Sequence, residues 1–231
     1  MRIRVTDDPM QLGSIKLDQV ERTPSDASEI DFFKRLFDII VAATALVALS
    51  PVILLFALLI RLQDGGKAIF AQARHGYKGE TFKCYKLRTM SVDANARLEV
   101  LLREDPALRR EWLATQKLQN DPRITKLGRF LRKSSIDELP QLWNVLMGEM
   151  SIVGPRPIVE GEIKKYGDDF RYFTSVRPGL TGLWQVEGRT DTTYKERVAM
   201  DVRYAQTRTF WNDIWIVLKT IPAVLMSRGA F

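Results

Sequence analysis

Residues 39–60 read IIVAATALVALSPVILLFALLI, a run without a single charge. It is long enough for a helix to cross the hydrocarbon core of a bilayer, and a core helix this uniformly apolar is rare in a small domain. A secretory signal fits poorly, because the run begins far from the N-terminus, follows an acidic stretch and lacks a small-x-small cleavage site. Ser50-Pro51 stands at its middle. Pro51 has no N–H for the Val47 carbonyl and its ring crowds that oxygen, so a bend is expected there, with Ser50 placed to satisfy the freed backbone. Lys34 and Arg35 precede the run and Arg61 and Lys67 follow it, so the positive-inside rule asks both ends to be cytoplasmic. Two readings stand on these residues: a kinked spanning helix, and a re-entrant one that returns to its own face.

The chain has 231 residues, room for one ordinary domain plus an anchor or tail. Its single cysteine, Cys84, allows no internal disulfide, and its single histidine, His75, leaves no Cys/His cluster for zinc. The net charge of +7 is unevenly spread. Residues 1–31 hold four basic and seven acidic groups, whereas 32–231 hold 31 basic against 21 acidic. That larger part wants an anionic partner such as phosphate, acidic lipid or nucleic acid. The basic residues form no single run, and a nucleic-acid role would leave the apolar segment unexplained.

The sequence predicts a mobile tail over 1–31, a membrane anchor over 32–62 and a cytosolic catalytic domain over 63–231. The fold class is α/β but mainly helical: a re-entrant membrane helix hairpin, a small β-hairpin and interfacial amphipathic helices. Strand-like runs at 67–74 and 81–88 flank the turn at 76–80. Residues 91–119 suit one or two amphipathic helices interrupted near Asp105-Pro106. A further helix is expected from Ser134 or Ser135 through Leu146, and another over 193–206. The stretch 210–226, with Trp211 and Trp215, suits either a helix lying flat on a bilayer or a core helix.

The chemistry-bearing residues cluster in KSSIDELPQLWN. Read alone, Ser135 and Glu138 have the spacing of a helix capping box, and acidic residues suit a helix start. Adjacent carboxylates beside Arg132 and Lys133 also suit joint binding of a divalent ion and a phosphate, and a carboxylate can attack phosphorus to form an acyl-phosphate. Arg156 in GPRP and Arg177 in RPG sit in proline-stiffened loops, where a rigid guanidinium fork suits bidentate phosphate binding; a surface arginine in a tight turn is the plainer reading of each. Lys86 and Arg88, two apart on a presumed strand, share one face, which by default is a solvated one. Neither a GxxxxGK[ST] loop nor a GxGxxG fingerprint occurs. Cys84 reads as packing.

Taken together, KRLFDIIVA, the Ser50-Pro51 break, FKCYKLRTM, DPRITKLGRFLRKSSIDELPQLWNVLMGEMSIVGPRP and RPGLTGLWQVEGRT resemble the bacterial sugar transferases, also called monotopic phosphoglycosyl transferases. The resemblance runs from about Lys34 to the C-terminus. Larger members carry extra membrane helices ahead of this core, so the chain reads as the short form. Within it, the chain is similar to the galactosyl- or glucosyl-phosphate transferases that initiate exopolysaccharide synthesis.

The resemblance implies transfer of a hexose-1-phosphate from a UDP-sugar to undecaprenyl phosphate with release of UMP. Asp137 then matches the nucleophile, and Glu138 the partner associated with magnesium and acid/base duty. Arg132 and Arg156 match phosphate-contacting positions; Lys86, Arg88 and Arg177 are carried over as anion contacts. A cytosolic nucleotide sugar and a lipid phosphate at headgroup level place the site at the inner-membrane interface, which favours the re-entrant anchor. Inner-membrane lipid is then a partner, nucleic acid is not, and self-association is left open. The competing reading is a non-catalytic anchored scaffold of a polysaccharide assembly complex, in which the Asp-Glu pair is only a cap.

Overall fold

The computed structural model describes residues 24–115, 118–188 and 192–225; most of the expected tail and the last few residues of the chain lie outside them. The apolar run folds into α1, Pro24–Asp64, a single helix with Pro51 inside it. Its start at Pro24 makes 24–31 helical rather than tail. The helix is not interrupted at Ser50-Pro51, contrary to the expected break. The Ser50 hydroxyl donates to the Val47 carbonyl at 2.8 Å, replacing the N–H that Pro51 lacks. Phe33, Ile40, Val47, Leu54, Leu58 and Leu62 are all exposed on α1. It is the one helix among the described residues long and apolar enough to cross a membrane.

Both ends of α1 are tied to the same body. Near its start Lys34 donates to Asp213 at 2.5 Å and to the Val153 carbonyl at 3.0 Å. Arg35 reaches the Val145 and Leu146 carbonyls at 2.6 and 2.7 Å, and Asp38 accepts from the Ile152 N–H at 2.9 Å and the Ser151 hydroxyl at 3.1 Å. Near its end Ile60 is buried with Leu87 and Leu131, and Asp64 pairs with Arg88.

The expected hairpin forms from β1, Ile69–His75, and β2, Thr81–Leu87, antiparallel with Phe70 opposite Lys86 and Arg74 opposite Phe82. The amphipathic stretch divides where Asp105-Pro106 predicts, into α2, Ala94–Glu104, and α3, Pro106–Thr115. The Asp105 carboxylate accepts from the Ala107 and Leu108 N–H groups, while Pro106 takes the first helical position, where no N–H is needed. Then come α4, Lys126–Lys133, and α5, Gln141–Met147.

The two loops of unusual texture, GPRP and RPGLTG, lie side by side. Strand β3, Ser151–Val153, pairs in parallel with β4, Gly179–Thr181. A Cβ on Gly179 would fall 2.1 Å from the Gly154 nitrogen, so only glycine permits this approach. Around the pair stand α6, Glu160–Tyr166; α7, Phe170–Thr174; α8, Leu183–Glu187; α9, Tyr194–Thr207; and α10, Phe210–Leu225. Helix α9 starts on a capping box between Thr193 and Glu196. Helix α10 has a buried side, with Ile216 and Asp213 fully buried as in a core helix, and an apolar exposed side with Trp211, Leu218 and Ile221.

Replacing Lys34 with Met leaves Asp213 buried with the Tyr204 hydroxyl as its remaining partner. The expected loss is about 3 kcal/mol, because an uncompensated buried charge costs more than the intact pair contributes. Thermal unfolding in detergent micelles measures it; an unchanged midpoint would show that the pair does not secure α1.

Candidate active site

The site begins where α4 meets the hairpin. Thr125 caps α4 by accepting from the Gly128 N–H at 2.9 Å. A Cβ on Gly128 would lie 1.9 Å from the Thr89 carbonyl oxygen, so a bare glycine lets the helix press on the strand's end. That contact sets Arg132 beside Thr89, whose hydroxyl accepts from its Nε at 2.9 Å.

The chain then turns sharply. Ser134 bonds back to the Phe130 carbonyl at 2.9 Å, and Ser135 takes a left-handed conformation with φ of 56°, which costs a non-glycine residue about 1 kcal/mol. The expected capping box is absent. Ser135 makes no side-chain cap, and residues 136–138 form a short 3₁₀ turn, Ile136–Glu138, ahead of α5. Helix α5 thus starts at Gln141, well after the expected Ser134 or Ser135. The local signal loses because Glu138 finds a better partner: Lys86 on β2, at 2.5 Å.

Asn144, fully buried on α5, locks this turn to the hairpin. Its side-chain oxygen accepts from the Tyr85 N–H at 3.1 Å, and its amide nitrogen donates to the Lys83 carbonyl at 2.7 Å and to Glu149 at 2.6 Å. The helix after the Asp-Glu turn is therefore held to the strand that carries Lys86.

The two carboxylates sit in different fields. Burial raises the Asp137 pKa to about 6 and Glu138's charge adds to the rise, against the pull of Lys86 and Arg132. Burial also opposes ionisation of Glu138, but Lys86, Arg156 and Arg74 outweigh it and hold Glu138 below the usual carboxylate range. One carboxylate is thus a secure anion and its neighbour is an ionisable group under tension, the arrangement in which neighbouring acids take different roles.

A shallow open cleft adjoins the turn, bordered by Arg74, Lys86, Glu138, Gln141, Arg156 and Gln185. Of the residues anticipated from sequence, Lys86, Glu138 and Arg156 meet here, with Asp137 and Arg132 alongside. Arg88 and Arg177 do not join them. Arg88 turns to Asp64 at the end of α1. Arg177 donates to the Gly148 carbonyl at 2.8 Å and stacks over Tyr77, bordering a second cavity with Lys34, Arg35, Asp38 and Arg208. Arg74, Gln141 and Gln185 were not singled out in the sequence. Arg74 was legible in principle as a basic strand residue, whereas the two glutamines stood inside quoted motifs with nothing to mark them. Cys84 also borders the cleft, and burial pushes its thiol pKa up, which suits packing rather than attack. His75 pairs with exposed Glu160 at 2.6 Å.

Magnesium requires oxygen donors. Among the described residues no three His, Cys, Asp or Glu side chains converge. Magnesium, however, is commonly held by one or two carboxylates together with substrate phosphates and waters, and the oxygen-only pair Asp137 and Glu138 fits that pattern.

The family model for bacterial sugar transferases matches residues 30–227. The exopolysaccharide production protein ExoY of Sinorhizobium fredii is 50% identical over 198 residues, covering 86% of this chain and 88% of that one. The undecaprenyl-phosphate galactose phosphotransferase of Salmonella typhimurium is 48% identical over 200 residues, covering 87% and 42%. The UDP-glucose:undecaprenyl-phosphate glucose-1-phosphate transferase of Caulobacter vibrioides is 40% identical over 211 residues, covering 87% and 73%. With such matches over most of its length, the chain belongs to the bacterial sugar transferase family, and with it to the phosphoglycosyl transferases.

Proposed function

We propose that the enzyme transfers a hexose-1-phosphate from UDP-galactose or UDP-glucose to undecaprenyl phosphate, through a phosphosugar held on Asp137, as the first membrane step of exopolysaccharide synthesis. The observation that carries this reading is the buried Asp137 on a tight turn, between Arg132 and the Lys86–Glu138 pair. The activities named for the Salmonella and Caulobacter relatives agree with it.

The chemistry balances without a proton donor. An oxygen of the Asp137 carboxylate forms a bond to the sugar-bearing phosphorus, and the bond from that phosphorus to the bridging oxygen breaks, its electron pair leaving with UMP. An oxygen of the lipid phosphate then attacks the same phosphorus and frees the carboxylate. Arg132, Lys86 and Arg156 supply fixed positive charge to the phosphates, so little reorganisation is needed as charge shifts. A magnesium ion at Asp137 and Glu138 would neutralise diphosphate charge that these side chains leave uncompensated.

The same reading puts α1 in the inner membrane as a re-entrant element, with the catalytic body on the cytoplasmic face. Its support is the attachment of both ends of α1 to one body. Laid straight, the helix from Asp38 to Asp64 would be about 39 Å long, so a simple crossing would carry its ends to opposite faces.

Four outcomes are expected. Asp137→Asn abolishes UMP release from UDP-hexose with magnesium and undecaprenyl phosphate; retained turnover removes Asp137 from the nucleophile's role. Because burial raises the folded pKa of Asp137, its contribution to stability is present in acid and lost as pH rises through about 6. At pH 7.5 Asp137→Asn is therefore expected to unfold at the wild-type temperature or above it, gaining at most ~3 kcal/mol, while wild-type phosphosugar formation declines as pH falls through about 6. In a Cys84→Ser background, single cysteines at positions 31 and 65 should both resist an impermeant thiol reagent in intact spheroplasts and label after lysis. Labelling of one alone before lysis would mean a crossing helix.

A further inference from the structure

Arg132 stands beside the buried Asp137, near enough that each charge favours ionisation of the other. Yet no ion pair joins them among the described residues. The other carboxylate that draws Arg132, Asp121, is already clasped by Arg123, which donates from Nε at 2.8 Å and from Nη2 at 2.6 Å. The hydrogen bond that Arg132 does make is to the Thr89 hydroxyl, through Nε at 2.9 Å. Thr89 is a rigid acceptor. It is buried, its carbonyl accepts from the Thr125 N–H at 3.1 Å, and Met90 next to it bridges to Ile124. Neither Nη of Arg132 has a hydrogen-bond partner among the described residues, and neither is closed off from solvent.

We infer that Thr89 is a positioning residue: by accepting from Nε, its hydroxyl fixes the plane of the Arg132 guanidinium beside Asp137 and leaves both Nη groups for the phosphate that Asp137 attacks. This rests on the transferase reading above. A guanidinium makes two parallel N–H···O bonds to a phosphate only when its plane matches the phosphate edge. An arginine free to rotate would be drawn onto the Asp137 carboxylate, blunting the nucleophile and using the donors that the phosphate needs. The Thr89 hydroxyl is neutral, so it orients Arg132 without neutralising it. Thr89 therefore acts through Arg132.

The test is a double-mutant cycle on the full chain in detergent with magnesium. UMP release is read with undecaprenyl phosphate and UDP-galactose or UDP-glucose, and UDP binding is read by calorimetry. Thr89→Val keeps the shape and removes the acceptor; Thr89→Ser keeps the acceptor. Thr89→Val is expected to lower kcat/KM about tenfold, as loss of a hydrogen bond to a charged group does, and to weaken UDP binding. Thr89→Ser is expected to stay near wild type. In an Arg132→Met background, Thr89→Val is expected to cost nothing further, because a residue that acts through another has no effect once that one is gone. A merely structural threonine would cost as much there as in the wild type, and that result overturns the inference. So does Thr89→Val with wild-type kinetics, or Thr89→Ser with the valine variant's loss. Thr89→Ala carries the same cycle if the valine variant does not fold, and UDP binding carries it where Arg132→Met is too slow to assay. A wild-type enzyme that releases no UMP from either sugar nucleotide sinks the transferase reading instead, and the cycle on UDP binding then decides the role of Thr89 by itself.

Discussion

A buried ion pair between Lys34 and Asp213 holds three distant parts of the chain in one frame. Lys34 belongs to α1, Asp213 to α10, and the Val153 carbonyl that also accepts from Lys34 ends β3. The Tyr204 hydroxyl of α9 lies 2.9 Å from Asp213 and 3.0 Å from the same carbonyl. Such a pair adds little net stability over apolar packing, but removing either half is costly, so it specifies one arrangement of its neighbours. The three residues after Val153 lead to Arg156 at the cleft. The position of the apolar helix and the position of an arginine that borders the cleft are therefore fixed by one network.

The site works against stability in a defined place. Ser135 is held in a left-handed conformation, and Asp137 is buried deeply enough to resist ionisation despite two nearby cations. Both features cost free energy, and both are held by strong outside contacts: Asn144 across to β2, Lys86 on Glu138, and Gly128 against Thr89. A carboxylate poorly solvated and only partly neutralised is a better nucleophile toward phosphorus than one at rest in water, and the rigid turn limits where it can point.

What the sequence made legible was governed by neighbours along the chain. The apolar run, the hairpin, the helix break at Asp105-Pro106 and the helix expected over 193–206 depend on local periodicity and on proline, and each is present. The Ser135–Glu138 spacing misled for the opposite reason: Glu138 is claimed by Lys86, 52 positions away, and no local rule weighs that contact. Lys86 and Arg88 were paired on the alternation of a strand, but β2 ends at Leu87, beyond which the alternation lapses and Arg88 turns to Asp64. Arg177 was read as an anion contact, whereas a carbonyl just past the end of α5 engages it. Gln185 borders the cleft only because β4 and α8 bring it there, which spacing along the chain does not reveal.

The covalent bond proposed between Asp137 and the sugar phosphate would change the mass of the enzyme. Intact-mass analysis of the wild-type enzyme mixed with magnesium and its UDP-hexose, with lipid acceptor withheld, tests it most directly. A mass increase of one hexose phosphate is expected, mapping after proteolysis to the peptide that holds Asp137 and discharged when undecaprenyl phosphate is added. Turnover by an enzyme that never carries this mass, or carries it on another residue, would contradict it.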